Sequence, residues 1–113
     1  MYARVTLFPG LPPERIKATL EHFKEEDLPR FEQAAGYLGM WAGVDYVGGR
    51  AIAVTYWDSM EHLRASDTIA DEIRAAAVTR ASVDRNRPPI TDRYEVVLQS
   101  EQSTVRSGAT AGA

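Results

Sequence analysis

AIAVTYWDSMEHLRAS, from Ala51 to Ser66, is the stretch of sequence that decides the fold. It begins as a run of small and β-branched apolar residues that ends at Trp57, a pattern typical of a strand. Asp58 then supplies a good helix N-cap, and Glu61 three positions later completes a capping box. The sequence therefore predicts a buried strand that leads directly into a helix, with Trp57 at the corner between them.

The predicted elements on either side of this corner alternate in type. A strand over residues 3–8 precedes a helix that Pro29 is expected to kink and Gly36 to end. A second strand over 37–45, with glycines that indicate a bulge, joins the Trp57 strand through a turn at Gly48 and Gly49. A second long helix starts at residue 66 or 67, and a last strand covers 91–99. The order predicts a ferredoxin-like α+β domain over residues 1–99 and a flexible tail over 100–113.

One face of the predicted sheet has no helix to cover it. Ile52, Val54 and Tyr56 would lie there, and they are too apolar to face water as a contiguous patch. A second copy of the sheet is the simplest cover, so a two-fold homodimer is expected. Arg4 and Glu95 are predicted to form a buried ion pair on this face, because they lie mid-strand on neighbouring first and fourth strands.

Composition excludes several classes of function. The chain has 113 residues, 44% of them hydrophobic, which fits one domain, and it has no cysteine and a net charge of −3 with interleaved signs. Such a charge pattern gives no footprint for nucleic acid, and no apolar run approaches the roughly 20 residues that a membrane helix needs. Two distant histidines do not make a metal site, and no motif for a flavin, nicotinamide or phosphate is present. We expect a cytoplasmic protein without metal or cofactor.

The residues around the corner carry a resemblance to a known family. The segment reads Tyr-Trp-Asp-Ser from Tyr56 to Ser59, followed by Glu61 and by an Arg-Ala-Ser step that ends at Ser66. With the order of elements, it resembles the antibiotic-biosynthesis-monooxygenase-like family of dimeric α/β barrels over residues 2–98. The resemblance implies two subunits that pair their sheets into a barrel. It also implies a pocket between the sheet and the helices of each subunit.

The resemblance also implies an activity. The family includes cofactor-independent oxygenases of polycyclic phenols or quinols, so it implies a monooxygenase that acts on a small aromatic substrate such as a phenol, quinol or anthrone. Ala53 and Leu63 stand where those enzymes have an asparagine and a tyrosine. The single asparagine, Asn86, lies in a loop, and no histidine occurs between residues 68 and 82 for haem binding. The alternative is a non-catalytic homodimer that binds a small ligand or has a filled pocket.

Alternation along the third strand predicts where the pocket lies. Small residues on the helix side would leave room beside Trp57, which the resemblance places in the pocket wall. We expect Trp57 to line the pocket and, as a candidate catalytic residue, to pack on the substrate ring, with Thr55 and Ala53 below it and Phe23 or Leu63 opposite.

Two residues are candidates for proton transfer. His62, in the first turn after the cap, is a candidate proton acceptor near Trp57, or an exposed helix residue. Asp27 falls on the apolar stripe of the first helix if that helix is regular, where burial would make it a base candidate. A kink at Pro29 would instead turn Asp27 outward.

Overall fold

The computed structural model describes residues 1–100, and the predicted tail over 100–113 lies outside them apart from its first residue. This part of the chain contains the strands β1 (Tyr2–Phe8), β2 (Tyr37–Asp45), β3 (Arg50–Trp57) and β4 (Ile90–Glu95). Its helices are α1 (Pro13–His22), α2 (Leu28–Glu32), α3 (Met60–Ala65) and α4 (Asp67–Ala81), with a π-helical turn over Phe23–Asp27 between α1 and α2. The strands form one antiparallel sheet in the order β2-β3-β1-β4. This is the predicted ferredoxin-like α+β fold.

The register of β3 decides which side chains meet the helices. Trp57 lies opposite Tyr2 of β1 and Tyr37 of β2, and Thr55 lies opposite Arg4. Because side chains alternate along a strand, this set shares one face of the sheet. Trp57 packs against helix residues, so this is the face that the helices cover.

Two apolar clusters fill the space between the sheet and the helices. The first lies at the Trp57 end of β3 and contains Phe31, Trp57, Leu63, Ala70 and Ile73. The second packs against Ala51, at the other end of β3, and contains Leu11, Ile16, Ala81 and Val83. The middle of β3, around Ala53, therefore lies between two separate cores.

The helix after Trp57 begins one residue later than the sequence predicts. Ser59, not Asp58, is the N-cap: its backbone is extended, and its Oγ accepts a hydrogen bond from the N–H of His62 at 3.1 Å. The Asp58 carboxylate consequently does not cap the helix and instead contacts the His62 side chain. The second predicted start is confirmed, because α4 begins at Asp67 with Ser66 in the N-cap position, although the Ser66 side chain makes no capping hydrogen bond.

The irregularity in the first helix is a π-helical turn and not a simple kink at Pro29. The N–H of Leu28 bonds to the carbonyl of Phe23, five residues back, and a new short helix starts with Pro29 in its first turn. Proline has no N–H to continue the earlier ladder but is well tolerated at a helix start. The helix ends at Glu32, before the turn that contains Gly36.

The last strand is shorter than predicted. β4 ends at Glu95, opposite Tyr2, because β1 begins at Tyr2 and offers no further partner beyond that pair. After one more bond, from the N–H of Val96 to the carbonyl of Met1, the chain leaves the sheet.

The sheet face away from the helices is apolar, as predicted. Trp41 is 47% exposed there and donates its indole N–H to the hydroxyl of Tyr56 at 2.9 Å, while Leu7 and Tyr94 are also exposed. Val54 is only 5% exposed, since it lies on the central strand between β1 and β2. Separately, none of the helices in residues 1–100 has the length and hydropathy to cross a bilayer.

Candidate functional site

A cavity of about 110 Å³ lies between the sheet and the helices. Ala51, Ala53 and Thr55 of β3 belong to its wall, and their small side chains leave the space open. The predicted position of the pocket over the small residues of β3 therefore agrees with the structure. Its apolar walls include Phe8, Leu11, Ile16, Leu20, Phe31, Ile73 and Ala77. These come from both apolar clusters, so the cavity is the gap between the two cores.

The first and last residues of the π-helical turn line the cavity. Phe23 and Asp27 both line it, and Asp27 is the only carboxylate among the described lining residues. A turn widened to i→i+5 bonding often marks a functional position in a helix. The prediction that a kink turns Asp27 outward is therefore wrong: this side chain is half-buried and belongs to the cavity wall.

Trp57 and Leu63 do not line this cavity, so that part of the prediction is wrong. The indole is fully buried, edge-to-face with Phe31 at 6.1 Å and Tyr37 at 5.7 Å between ring centroids. Leu63 is equally buried in the same cluster. Trp57 supports the cavity wall from behind: besides its contact with Phe31, its Nε1 donates a hydrogen bond to Oγ1 of Thr55 at 3.0 Å. The substrate-binding roles of Thr55, Ala53 and Phe23 stay predictions.

His62 also lies outside the cavity wall, so the structure does not bring it to the pocket as a proton acceptor. Its Nδ1 lies 2.6 Å from Oδ1 of Asp58, and the side chain is 40% exposed. The hydrogen bond to His62 holds the pKa of the Asp58 carboxyl below its usual range. Both side chains face Gly36, whose carbonyl accepts the N–H of Asp58 at 2.9 Å. That backbone hydrogen bond joins the turn before β2 to the Trp57 corner, and the exposure of His62 agrees with the interpretation of an exposed helix histidine.

Arg4 is the buried cation of the site, and its partner is not Glu95. Its Nη2 donates to the carbonyl oxygen of Leu63 at 2.8 Å, to Oγ of Ser66 at 2.8 Å and to Oδ1 of Asp67 at 2.6 Å. Glu95 is exposed and lies opposite Tyr2. The predicted pair is wrong because the register places Arg93, and not Glu95, opposite Arg4, and because the face of Arg4 is the one that the helices cover, where Asp67 at the start of α4 reaches it.

The Asp67 carboxylate is shared between two guanidinium groups. Oδ1 accepts from Arg4, and Oδ2 accepts from Arg93 at 2.8 Å. Burial alone would raise the pKa of Asp67, but the hydrogen bonds from both arginines outweigh it and hold the pKa below its usual range. Burial lowers the pKa of Arg4, against the opposing effect of Asp67. An arginine stays protonated under such a shift.

Arg4 also contributes to the cavity wall, and one of its nitrogens has no partner. The side chain is 3% exposed, and Nη1 is buried without a hydrogen bond to any of residues 1–100. Its Cζ lies 5.8 Å from the centroid of the Trp57 ring, within the range of a cation–π contact. Sequence reasoning did not assign Arg4 to the pocket, although a lone arginine inside an apolar strand was a visible signal.

Two more arginines of α4 lie in the cavity wall. Arg74 is held by Oγ1 of Thr91 at 3.0 Å and by Asp71 at 2.8 Å, and Arg80 is half-buried. Residues 1–100 contain no group of three or more histidines and acidic residues arranged to hold a metal ion. The absence of a cofactor requirement stays a prediction.

Solved structures with this architecture include two oxygenases and a dimeric protein. A monooxygenase from the gene ActVA-Orf6 of Streptomyces coelicolor, in complex with nanaomycin D, superposes with a TM-score of 0.71 at 17% identity, over 90% of this chain and 92% of that one. SnoaB, a cofactor-independent oxygenase from Streptomyces nogalater, gives 0.63 at 9% identity, over 89% and 97%. A dimeric ferredoxin-like protein from an uncultured marine organism gives 0.66 at 15% identity, over 90% and 92%.

The chain has the fold of these monooxygenases. The resemblance predicted from the Trp57 corner is thereby confirmed for the fold, over most of the chain. Antibiotic-biosynthesis-monooxygenase-like proteins from Bordetella bronchiseptica and Deinococcus radiodurans share it at 17% and 14% identity, with TM-scores of 0.58 and 0.62. No family model and no curated protein matches the sequence.

Proposed function

We propose that this protein is a cofactor-independent monooxygenase that oxidises a phenol or quinol whose ring occupies the cavity. The observation that carries the proposal is an apolar cavity, in the fold of known monooxygenases, with one carboxylate and a buried guanidinium in its wall. An apolar enclosure with few polar groups is the usual form of a small-molecule site.

The volume limits the substrate. A cavity of about 150 Å³ is known to hold one benzene molecule, so a volume of about 110 Å³ is filled by a single ring. A three-ring anthrone would extend far beyond it. Among the substrates that the family resemblance implies, the size therefore favours a one-ring phenol or quinol.

The chemistry needs no external reductant. The substrate loses the proton of its hydroxyl to Asp27, and the resulting electron-rich ring is attacked by O₂ at a carbon that carries a hydrogen, ortho or para to that oxygen. The hydroperoxide that forms loses water to give the quinone. One oxygen atom enters the ring, the other leaves as water, and the two hydrogens of that water come from the hydroxyl and from the attacked carbon.

The assembly belongs to the same proposal. The apolar sheet face around Trp41, Leu7 and Tyr94 is exposed and is not covered by any helix of residues 1–100, and one protein of the same fold is dimeric. We assign this face to a homodimer contact between two sheets. Each cavity, on the opposite face, then belongs to one subunit.

Oxygen uptake tests the activity. Purified protein is given phenol, catechol and hydroquinone in an oxygen electrode, with a chelator and without added flavin or haem, against an enzyme-free control for autoxidation. We expect uptake with at least one substrate and, as the product, a quinone that contains one oxygen atom more than the substrate. Activity that disappears on dialysis against the chelator and returns with iron would contradict the mechanism.

A matched pair of variants links the activity to the cavity. Ala53→Leu fills the space, and Ala75→Leu makes the same change on an exposed position of α4. Only Ala53→Leu should abolish uptake. Equal loss in both variants would place the activity elsewhere.

The second candidate function is ligand binding without catalysis. It is favoured by the burial of Trp57 in the core, away from the cavity, and by Ala53 and Leu63 at the positions of the family's asparagine and tyrosine. Saturable binding of a phenol with no oxygen uptake would support it.

A further inference from the structure

The charges around Arg4 do not balance. Arg4 and Arg93 share the single carboxylate of Asp67, and Arg74 pairs with Asp71. Three guanidinium groups therefore face two carboxylates, which leaves one positive charge in excess. The two other charged residues of the cavity wall, Asp27 and Arg80, cancel each other in sign.

Arg4, the least exposed of these three arginines, has a nitrogen without a hydrogen-bond partner among residues 1–100. Nη2 of Arg4 makes three hydrogen bonds, while Nη1 makes none and is out of contact with water. A buried donor without an acceptor is costly, and an ionised donor more so. The ring of Trp57 at 5.8 Å offers attraction for the charge but is a weak substitute for an oxygen acceptor.

We infer that Nη1 of Arg4 is the binding point for an ionised oxygen of the ligand, and that the cavity selects aromatic phenolates over neutral rings of the same size. An anionic oxygen at Nη1 supplies the missing acceptor and cancels the excess charge, and the apolar walls take the ring. The inference rests on the proposed function in using the same cavity. It concerns binding, however, and requires no turnover.

The probe for this selection is 4-nitrophenol, whose phenolate is yellow and whose neutral form is colourless. Its binding is measured by titration calorimetry at one pH below and one pH above the ionisation of the free phenol. At pH values between these two, its absorbance is recorded with and without protein. We expect the phenolate to bind at least about tenfold more tightly than the phenol, which lowers the apparent pKa of the bound probe by about one unit. Nitrobenzene, which has the same ring and no hydroxyl, should bind no better than the neutral phenol.

The Arg4→Met variant tests whether the Arg4 guanidinium causes the preference for the phenolate. Methionine keeps an apolar chain of similar reach, and the tenfold preference should fall below about twofold. Arg30→Met is the matched control, since Arg30 is exposed, pairs with Glu72 and does not line the cavity. The preference should be unchanged in that variant.

The possible results separate the inference from the proposed function. Phenolate selection without oxygen uptake supports the binding site and removes the monooxygenase. Oxygen uptake with no preference for the phenolate over nitrobenzene overturns the inference alone. If Arg4→Met does not fold, the comparison of 4-nitrophenol with nitrobenzene on the wild-type protein decides. No binding of the phenolate, or equal loss in Arg30→Met, also overturns it.

Discussion

Asp67 holds together residues that are far apart in the chain, because two arginines from β1 and β4 meet its carboxylate at the start of α4. Arg4 is also the residue whose role was hardest to obtain from sequence. Its strand and its burial could be predicted from the apolar neighbours of β1. Its partner could not, because that depends on the register of β1 and β4, which places Arg93 opposite Arg4 and Glu95 opposite Tyr2, and on where α4 begins over the sheet.

Replacing Asp67 tests this cluster. Asp67→Asn leaves the Arg4 guanidinium buried without a counter-charge, and we expect the free energy of unfolding to fall by about 3 kcal/mol. Asp71→Asn is the control, because its exposed ion pair with Arg74 contributes at most about 1 kcal/mol. Urea denaturation at neutral pH measures both. Similar small losses in the two variants would contradict a buried pair.

The same residue makes stability depend on pH. The pKa of Asp67 is lowered in the folded state, so its contribution is complete above the unfolded value of about 3.9 and is lost as pH falls through the folded value. Urea midpoints across the acid range should therefore fall more steeply in the wild type than in Asp67→Asn. Parallel curves would show that Asp67 does not carry this dependence.

Asp27 is the residue whose loss should affect chemistry most selectively. Removing a general base costs about a hundredfold in rate or more, so Asp27→Asn should reduce kcat by about that factor. Glu26→Gln, in the same π-helical turn but exposed, should leave kcat unchanged. The thermal midpoints of both variants are measured alongside. A kcat in Asp27→Asn within a few-fold of wild type would remove Asp27 from the mechanism.

At the scale of elements, the sequence was most informative where local signals decide the type and the bounds of a helix or strand. The order of strands and helices follows from hydrophobic alternation. The bulge next to Gly39 follows from the glycine, and the start of α4 follows from the helix-start signal at residues 66 and 67. The cap of α3 could not be predicted in this way, since Asp58 and Ser59 are both good N-cap residues. The extended backbone of Ser59 makes it the N-cap. Trp57 was misplaced for a different reason: its surroundings depend on where α2 and β2 bring their aromatic rings.

The turn before β2 offers a test at this scale. Gly36 has a φ of 81°, and a Cβ there would collide with Asp58 and His62. Gly36→Ala should therefore lower the free energy of unfolding by about 2 kcal/mol or more. Gly43→Ala is the control, because its φ is not in the left-handed region and its Cβ would meet only a methyl group of Ile52 at 3.3 Å, a close contact that a shift of a few tenths of an ångström relieves. Chemical denaturation compares them, and equal effects would contradict the role of the turn.

At the scale of the whole molecule, the open question is the cover of the apolar sheet face. Leu7 lies on this face with Trp41 and Tyr94, and it is exposed within one chain. Leu7→Glu should therefore leave the subunit folded while placing a desolvated charge in the proposed contact between sheets. Sedimentation equilibrium is expected to give the dimer mass for the wild type and the monomer mass for this variant.

Val47→Glu is the control for that experiment. Val47 is 98% exposed in the loop between β2 and β3, away from the sheet face, and it should leave the mass unchanged. A wild-type protein that sediments as a monomer would remove the proposed dimer.

The π-helical turn has a consequence for length variation in this chain. A π turn uses more residues per turn than an α-helix, so it behaves as an insertion that the helix absorbs without breaking. Deleting Lys24 would remove that insertion, so ordinary i→i+4 bonding could run from α1 toward α2. The residues on either side would keep their faces, and Phe31 its place in the core, while Phe23 and Asp27 would become three residues apart instead of four. The extra residue therefore sets the spacing of the two wall residues, whichever residue it is.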